Sequence, residues 1–558
     1  MTLPQDYSLP HDTFRPHQRE TIEYLSSFTG QKQNIVLSAP TGSGKSSYVR
    51  ASASSKRTIV LTKTKSLQFH NYDHIYGMDT LYGKSNYACV HPNGRGNMAN
   101  LCLYTDVGMN KCSVHHQCPY LIQKNIVVPS NKISLNYAYW LTAQRGWLKG
   151  NMPEVLFLDE CHLLPALIRD WSGCTIDDYQ RSNWKLPEFP VITKGKTTSS
   201  GGSGFFTSEV IESDPSIEVI NWLEESLKIL KDTLTGLLIA TRKYQDDKSL
   251  KARLHSCESL GMKLRGCLES LQANPTDWYI KSGKDVLSKN YKRIPGLLCK
   301  PLTARYHFPR LFLKEEIQNV VMMSATIGKP EQFAKEIGSH NYNLRLVSNV
   351  FNAADSPVDV FKDCPRMGYT KDEEGAFDPD RFADKVNKQA DLMARFILDY
   401  PHHWTGIIHV QSKRKADGLL KALASRGLED RVCKVPETGT EKQLQWWIER
   451  KQVAPGALCI TWSFAEGVDL YDDNFCLSAD IPFADQGDEY GKARFEYSIP
   501  LYMWEAATEL EQRMGRIRRG DVSHYGPMAE KVVAIFDSNW TRIKSYLSDD
   551  FLESIVEI

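Results

Sequence analysis

The sequence predicts an α/β protein built on parallel β-sheets, and three observations carry that expectation. Short apolar runs such as Val155–Leu158 and Gly456–Ser463 alternate with helical patterns along the chain, the arrangement of strands buried on both faces of a parallel sheet. A glycine-rich turn follows one such run and an Asp-Glu pair follows another, and open α/β sheets place ligand-binding groups at these carboxyl ends of strands. The chain has 558 residues, enough for three or four units with cores of their own.

Composition narrows the class. The chain is 41% hydrophobic and 24% charged, as expected of an ordinary globular protein. It has no run of eighteen apolar residues, and its first twenty residues lack a basic-then-apolar leader, so a cytoplasmic protein away from membranes is expected. With a net charge of only +1, a nucleic-acid partner would have to sit in a local basic groove. Thirteen cysteines, an odd number and mostly inside apolar stretches, argue against a disulfide framework.

The first element to justify is residues 34–50, NIVLSAPTGSGKSSYVR, which read as strand, turn and helix start. Thr41, Gly42, Ser43 and Gly44 form a turn whose N–H groups can face phosphates. Lys45 can reach the β/γ oxygens of ATP, and the Ser46 hydroxyl can ligate Mg²⁺. Ala39 stands where such loops usually have their first glycine. In residues 154–164, EVLFLDECHLL, Asp159 is placed as a second Mg²⁺ ligand. Glu160 suits the group that orients and deprotonates an attacking water. Far downstream, Gln512, Gly515, Arg516 and Arg519 fit the spacing Q-x-x-G-R-x-x-R. Arg516 and Arg519 lie a turn apart on a helix and can stabilise a transferring phosphoryl group. A solvated basic helix face is the plainer reading of such a run, and the Gln and Gly at fixed offsets argue against it.

Taken together, APTGSGKSS, LDECH, MMSAT (residues 322–326) and QRMGRIRR resemble motifs I, II, III and VI of superfamily 2 helicases, in that order. RPHQ (residues 15–18) is similar to the family's Q motif. SFAEGVDL (residues 463–470), followed by IPFADQGDE, resembles motif V and the next loop of the XPD/DinG helicases. The resemblance implies two RecA-like motor domains, with Gln18 on the adenine and with Glu466, Gly467 and Asp469 between nucleotide and DNA. His162, Ser324, Ala325 and Thr326 would couple hydrolysis to cleft movement. LTKTKSLQFH (residues 61–70) would be motif Ia, with Thr62, Lys63 and Thr64 near the DNA backbone, and GIIHVQSKRK (residues 406–415) would be motif IV.

Between motif Ia and motif II lie Cys89, Cys102, Cys112 and Cys118, with 12, 9 and 5 residues between successive members. Four thiolates so close in sequence can close around one metal centre. The spacing leaves three readings open: an iron–sulfur cluster, a zinc site in which His91, His115 or His116 could substitute, and buried thiols without a metal. The resemblance implies a 4Fe–4S cluster, because XPD/DinG helicases carry one at this position.

Domain limits follow. Residues 1–78, 124–172 and 306–338 are expected to form the first motor domain, and 339–558 the second. Residues 79–123 would be the iron–sulfur insertion and 173–305 a helical arch. In the arch, GKTTSSGGSG (195–204) reads as a loop. Ile220, Leu223, Leu227, Leu230, Leu234 and Leu237, then Leu250, Leu254, Cys257, Leu264, Cys267, Leu268 and Leu271, form two stripes at helical spacing, predicting an antiparallel helix pair. Tyr82, Tyr87, Tyr104 and Tyr120, interleaved with Lys84, Arg95 and Lys111, either stack bases or pack the small insertion. The expected function is an ATP-dependent, monomeric DNA helicase moving 5′ to 3′ on single-stranded DNA and opening tailed duplexes, the polarity being implied by the resemblance alone. An ATPase switch on DNA without processive unwinding, and an RNA- or hybrid-directed unwindase, remain alternatives.

Overall fold

A computed structural model of the chain describes residues 3–28, 31–40, 43–65, 67–91, 112–144, 146–192, 215–244, 247–289, 292–339, 341–347, 357–368, 378–464, 470, 472–484, 488–517 and 531–558. Seven strands make the first sheet: β1 (Gln33–Ser38), β2 (Thr58–Thr62), β3 (Asp79–Thr80), β4 (Lys132–Asn136), β5 (Val155–Asp159), β9 (Asn319–Ser324) and β10 (Asn343–Leu346). They run parallel in the order β10-β1-β9-β5-β2-β4-β3. The inner strands carry unbroken apolar runs, Ile35–Leu37, Ile59–Leu61, Val155–Leu158 and Val320–Met323, all buried. Each such side chain left in water would forfeit about 1.5–3 kcal/mol, so these runs can only be interior strands covered on both faces.

The second sheet consists of β11 (Val358–Val360), β12 (Gly406–His409), β13 (Val432–Lys434), β14 (Leu458–Thr461), β15 (Phe475–Ser478), β16 (Val532–Ile535) and β17 (Ile555–Glu557). It too is wholly parallel, in the order β13-β14-β12-β15-β16-β11-β17. Two RecA-like α/β domains are therefore present, as the sequence predicts.

Two expected limits need correction. Residues 343–346 were assigned to the second domain, yet they pair with β1 of the first, Ile35 opposite Asn343. Asp79–Thr80, assigned to the insertion, pairs with β4 at the opposite edge of the same sheet. Both are edge strands. They are too short for an apolar period to show, and in β10 Leu344 and Leu346 face solvent.

Between β5 and β9 the chain builds a third unit. Helices Pro215–Lys243 and Lys248–Ala273 pack on each other. Leu223, Leu230, Cys257, Leu264, Cys267 and Leu271 are buried there, along the two predicted stripes. Asp247 caps the second helix, its carboxylate accepting from Ser249 N at 2.8 Å and Leu250 N at 3.0 Å. The unit is not purely helical. β6 (Cys174–Asp177), β7 (Trp278–Lys289) and β8 (Lys292–Pro301) form an antiparallel sheet in the order β6-β8-β7. The loop predicted at 195–204 lies outside the described residues.

A buried ion network joins the units. Arg169 Nη1 donates to Glu336 Oε1 at 2.5 Å, and its Nη2 to Glu505 Oε1 at 2.6 Å. Arg494 holds the same Glu505 through two bonds, at 2.5 and 2.9 Å. Burial raises the Glu505 pKa, but Arg169 and Arg494 outweigh it and bring it down to about 2. The β7 strand also docks on helix Glu489–Tyr497: Tyr279 and Lys281 both reach Glu489 Oε2, at 2.8 and 2.5 Å. Among the described residues no helix is long and apolar enough to cross a membrane.

Candidate nucleotide site

Parallel strands end together. Ser38, Thr62, Asp159 and Ser324 are the last residues of β1, β2, β5 and β9, and polar side chains following apolar runs therefore collect along one edge of the first sheet. After β1 the chain turns into helix Lys45–Ala53 through Gly44, whose φ is +88°. A Cβ at Gly44 would meet Gln18 Nε2 at 2.1 Å, so both backbone and space require glycine. The helix starts at Lys45, and the first turn of a helix is an arrangement that attracts phosphate. Lys45 Nζ lies over the loop, 3.1 Å from Ala39 O and 3.4 Å from Pro40 O. Thr41 and Gly42 lie outside the described residues.

Gln18 is wholly buried against this turn. Its Oε1 accepts from Arg15 N at 3.1 Å and lies 3.3 Å from His11 Nε2. Its Nε2 is buried without a hydrogen-bond partner among the described residues. An orphaned amide donor costs about 1–3 kcal/mol, which a ligand acceptor would recover.

Asp159 is almost wholly buried. One of its oxygens accepts from the Tyr72 hydroxyl at 2.7 Å and the other from Glu160 N at 3.0 Å. Burial and then the neighbouring Glu160 charge raise its pKa to about 7, against the opposing pull of Lys45. A buried carboxylate so destabilised as an anion fits a cation. Together with the Ser46 hydroxyl it makes an all-oxygen donor pair suited to Mg²⁺.

Glu160 has a φ of +54°, a conformation that turns its side chain along the sheet edge. Its Oε2 accepts from Ser324 Oγ at 3.2 Å and lies 3.4 Å from His162 Nδ1. His162 Nδ1 is 2.8 Å from Ser324 Oγ and 3.4 Å from Gln512 Nε2. Gln512 Nε2 also donates to Thr326 Oγ1, and Arg516 Nη2 donates to Gln512 Oε1 at 3.2 Å. Glu160, His162, Ser324 and Thr326 of the first domain are thus joined to Gln512 and Arg516 of the second. The joining helix, Ile499–Met514, is seated by the Trp504 indole N–H on Ile327 O at 2.8 Å. Ala325 sits in the same turn.

Other expected residues fall out differently. Thr62 is buried and its hydroxyl donates to Thr64 O at 3.2 Å. Its side chain belongs to the end of β2, while Lys63 is exposed and Thr64 half-exposed. Tyr120 is buried and meets Tyr87 edge to face at 5.5 Å, a packing role. Cys89, Cys112 and Cys118 are free, half-buried thiols. Among the described residues no three His, Cys, Asp or Glu side chains are grouped to hold a metal ion. Cys102 lies outside the described residues, as do Glu466, Gly467, Asp469, Arg519, Tyr104, Arg95 and Lys111. The donor chemistry of the three thiols suits an iron–sulfur or zinc centre, and their mutual geometry supplies no further argument.

Sequence reasoning missed Asn71, Tyr72 and Tyr137. Asn71 Nδ2 donates to Ser46 Oγ at 2.5 Å, and Tyr137 OH donates to Asp159 O at 2.7 Å. Asn71 and Tyr72 lie on a π-helix, Leu67–Asp73, whose wide turn defeats a 3.6-residue reading.

Comparison with known proteins agrees with this architecture. No family model matches the chain. It is 23% identical to a probable ATP-dependent helicase of Methanocaldococcus jannaschii, over 97% of this chain and 95% of that protein. Two solved XPD structures, a helicase and an apo form, match with TM-scores of 0.56 and 0.54. They are 13% and 14% identical, over 97% of this chain and 98% and 99% of theirs. The fold defines a protein of two RecA-like α/β domains. More particularly, the fold is that of the XPD helicase structures.

Proposed function

We propose that the chain is an ATP-dependent DNA helicase that tracks 5′ to 3′ along single-stranded DNA and opens tailed duplexes. The observation that carries this reading is the bridge from Gln512 and Arg516 to Thr326, His162 and Glu160. Groups from both domains meet at the carboxylate suited to activating water, so hydrolysis and the spacing of the domains depend on one another.

Each residue has a task in this mechanism. Gln18 reads the adenine through its unpartnered amide, and Gly44 lets the loop close around phosphate. Lys45 neutralises the β/γ oxygens, while Ser46 and Asp159 would hold Mg²⁺, which supplies charge neutralisation at the phosphates. Glu160 orients and deprotonates the attacking water. Arg516, with Arg519, stabilises the negative charge of the transferring group, a role often worth 10³-fold or more. His162, Ser324 and Thr326 then register the loss of the γ-phosphate as a change in the bonds to Gln512. Lys63 and Thr64 contact the DNA backbone, and the resemblance assigns Gly467 and Asp469 to the coupling of strand and nucleotide. Cys89, Cys102, Cys112 and Cys118 would hold a 4Fe–4S cluster, which supplies a cross-link for the loops of that insertion. The M. jannaschii relative's description as a probable helicase and the likeness to XPD in fold support the reading.

Strand displacement tests it, with protein purified without oxygen and duplexes bearing a 5′ or a 3′ single-stranded tail. ATP-dependent opening from the 5′ tail alone is expected. DNA-stimulated hydrolysis without opening from either tail would replace the helicase with an ATPase switch, and faster opening of RNA tails would replace DNA as substrate.

A further inference from the structure

We propose that Asn71 and Tyr72 are positioning residues that make Ser46 and Asp159, the pair suited to Mg²⁺, respond to nucleic acid held by the first domain; this rests on the function proposed above. The chain leaves β2 at Thr62, and the exposed Lys63 and half-exposed Thr64 lie between that strand and the π-helix. Thr64 begins that helix: its Oγ1 accepts from Leu67 N at 3.2 Å, and its carbonyl accepts from Thr62 Oγ1 and from Gln68 N. A few residues on, Asn71 donates to Ser46 Oγ and Tyr72 to Asp159. One continuous segment therefore has the residues for the DNA backbone at its start and both metal-site partners near its end.

The helix is anchored so that a shift at its start reaches the site. Gln68, wholly buried, donates to Ser134 O at 2.9 Å and Leu81 O at 3.4 Å, tying the helix to the β4 side of the sheet. Tyr76 OH lies 3.1 Å from Ser47 Oγ. Gln68, Tyr72 and Tyr76 face inward at four-residue steps, and Phe69 and His70 are exposed on the outer side. A π-turn is strained relative to an α-helix and persists where a function needs its wider spacing. Here the wider turn lets the consecutive residues 71 and 72 reach the start of helix Lys45–Ala53 and the end of β5.

The hydrogen bonds have a definite consequence for a bound cation. A tyrosine hydroxyl donating to one Asp159 oxygen, with Glu160 N on the other, fixes the carboxylate plane. Asn71 occupies one acceptor position of Ser46 Oγ and orients the remaining lone pair. Such outer partners typically govern metal affinity by 10–100-fold. A tyrosine that merely fills the core would stabilise the fold and leave metal affinity alone.

The test uses the full chain, a non-hydrolysable ATP analogue, and Mn²⁺ in place of Mg²⁺, with free Mn²⁺ counted by paramagnetic resonance so that no turnover is required. Wild-type protein is expected to bind Mn²⁺ more tightly when a single-stranded DNA oligonucleotide is added. Tyr72→Phe is expected to bind it about tenfold more weakly and to lose the response to DNA. Should Tyr72→Phe fold poorly, Asn71→Ala, at a half-exposed position, carries the same expectation. Variants that bind Mn²⁺ like wild type, or that keep the full response to DNA, overturn the proposal. A wild type that holds Mn²⁺ but ignores DNA overturns the coupling while leaving the nucleotide site standing. A wild type that holds no Mn²⁺ with the analogue refutes the nucleotide site itself.

Discussion

The two sheets share one design but end differently. At the carboxyl edge of the first, Asp159 is met by a tyrosine hydroxyl and a backbone N–H, and burial raises its pKa to about 7. At the same edge of the second, Asp480 is met by Lys415 Nζ at 3.1 Å and by Gln411 N at 3.0 Å, with Arg513 Nη1 at 3.5 Å. Asp159 is raised by burial and the neighbouring Glu160 charge, whereas Asp480 is paired with the Lys415 ammonium. The first therefore has a use for a ligand cation, while the second supplies a rigid base from which Gln512 and Arg516 reach across. Charge left over marks the site, and charge balanced marks the frame.

That contrast can be broken in graded ways. The largest effect is expected at the first edge: Lys45→Ala should lower ATP hydrolysis by 100-fold or more while changing the melting temperature little. Steady-state hydrolysis beside a thermal melt checks both halves. At the second edge the pattern should invert. Lys415→Met leaves the buried Asp480 without its lysine, and about 3 kcal/mol of stability should be lost, read by denaturant unfolding.

The ion network sharpens the comparison between units. Glu505 is held at about 2, below its ordinary 4.5, so its contribution is complete above pH 4.5 and disappears as pH falls toward 2. The shift corresponds to stability on the order of 3 kcal/mol. Glu505→Gln should therefore lower stability at neutral pH and flatten its decline between pH 4.5 and 2, followed by unfolding curves across that range. The smallest effect is expected in the insertion, where Asp247→Ala removes a helix cap. It should cost about 1 kcal/mol and leave basal hydrolysis unchanged.

What the sequence disclosed depended on how locally each feature is encoded. Lys45, Ser46, Asp159 and Glu160 were legible because a phosphate loop and a strand-end acid pair need contiguous residues. Gln512 and Arg516 were legible because their spacing is helical. The packed stripes of the insertion followed from periodicity alone. The β7–β8 hairpin did not, because YIKSGKDVLSK has no clear alternation and β8 has its second partner in β6, more than a hundred residues earlier. The edge strand β10 escaped for want of length. Asn71 and Tyr72 were hidden by a helix whose period is not the one a helical reading assumes.

The most direct test of the central claim, that ATP is hydrolysed between the two sheets, is hydrolysis stimulated by single-stranded DNA in Arg516→Ala beside wild type. Arg516 comes from the second domain and is bonded to Gln512 at the bridge. A strongly stimulated wild type, with a variant that binds nucleotide equally well but hydrolyses it at least 100-fold more slowly, is the result the account predicts. A variant that hydrolyses ATP at the wild-type rate would contradict it.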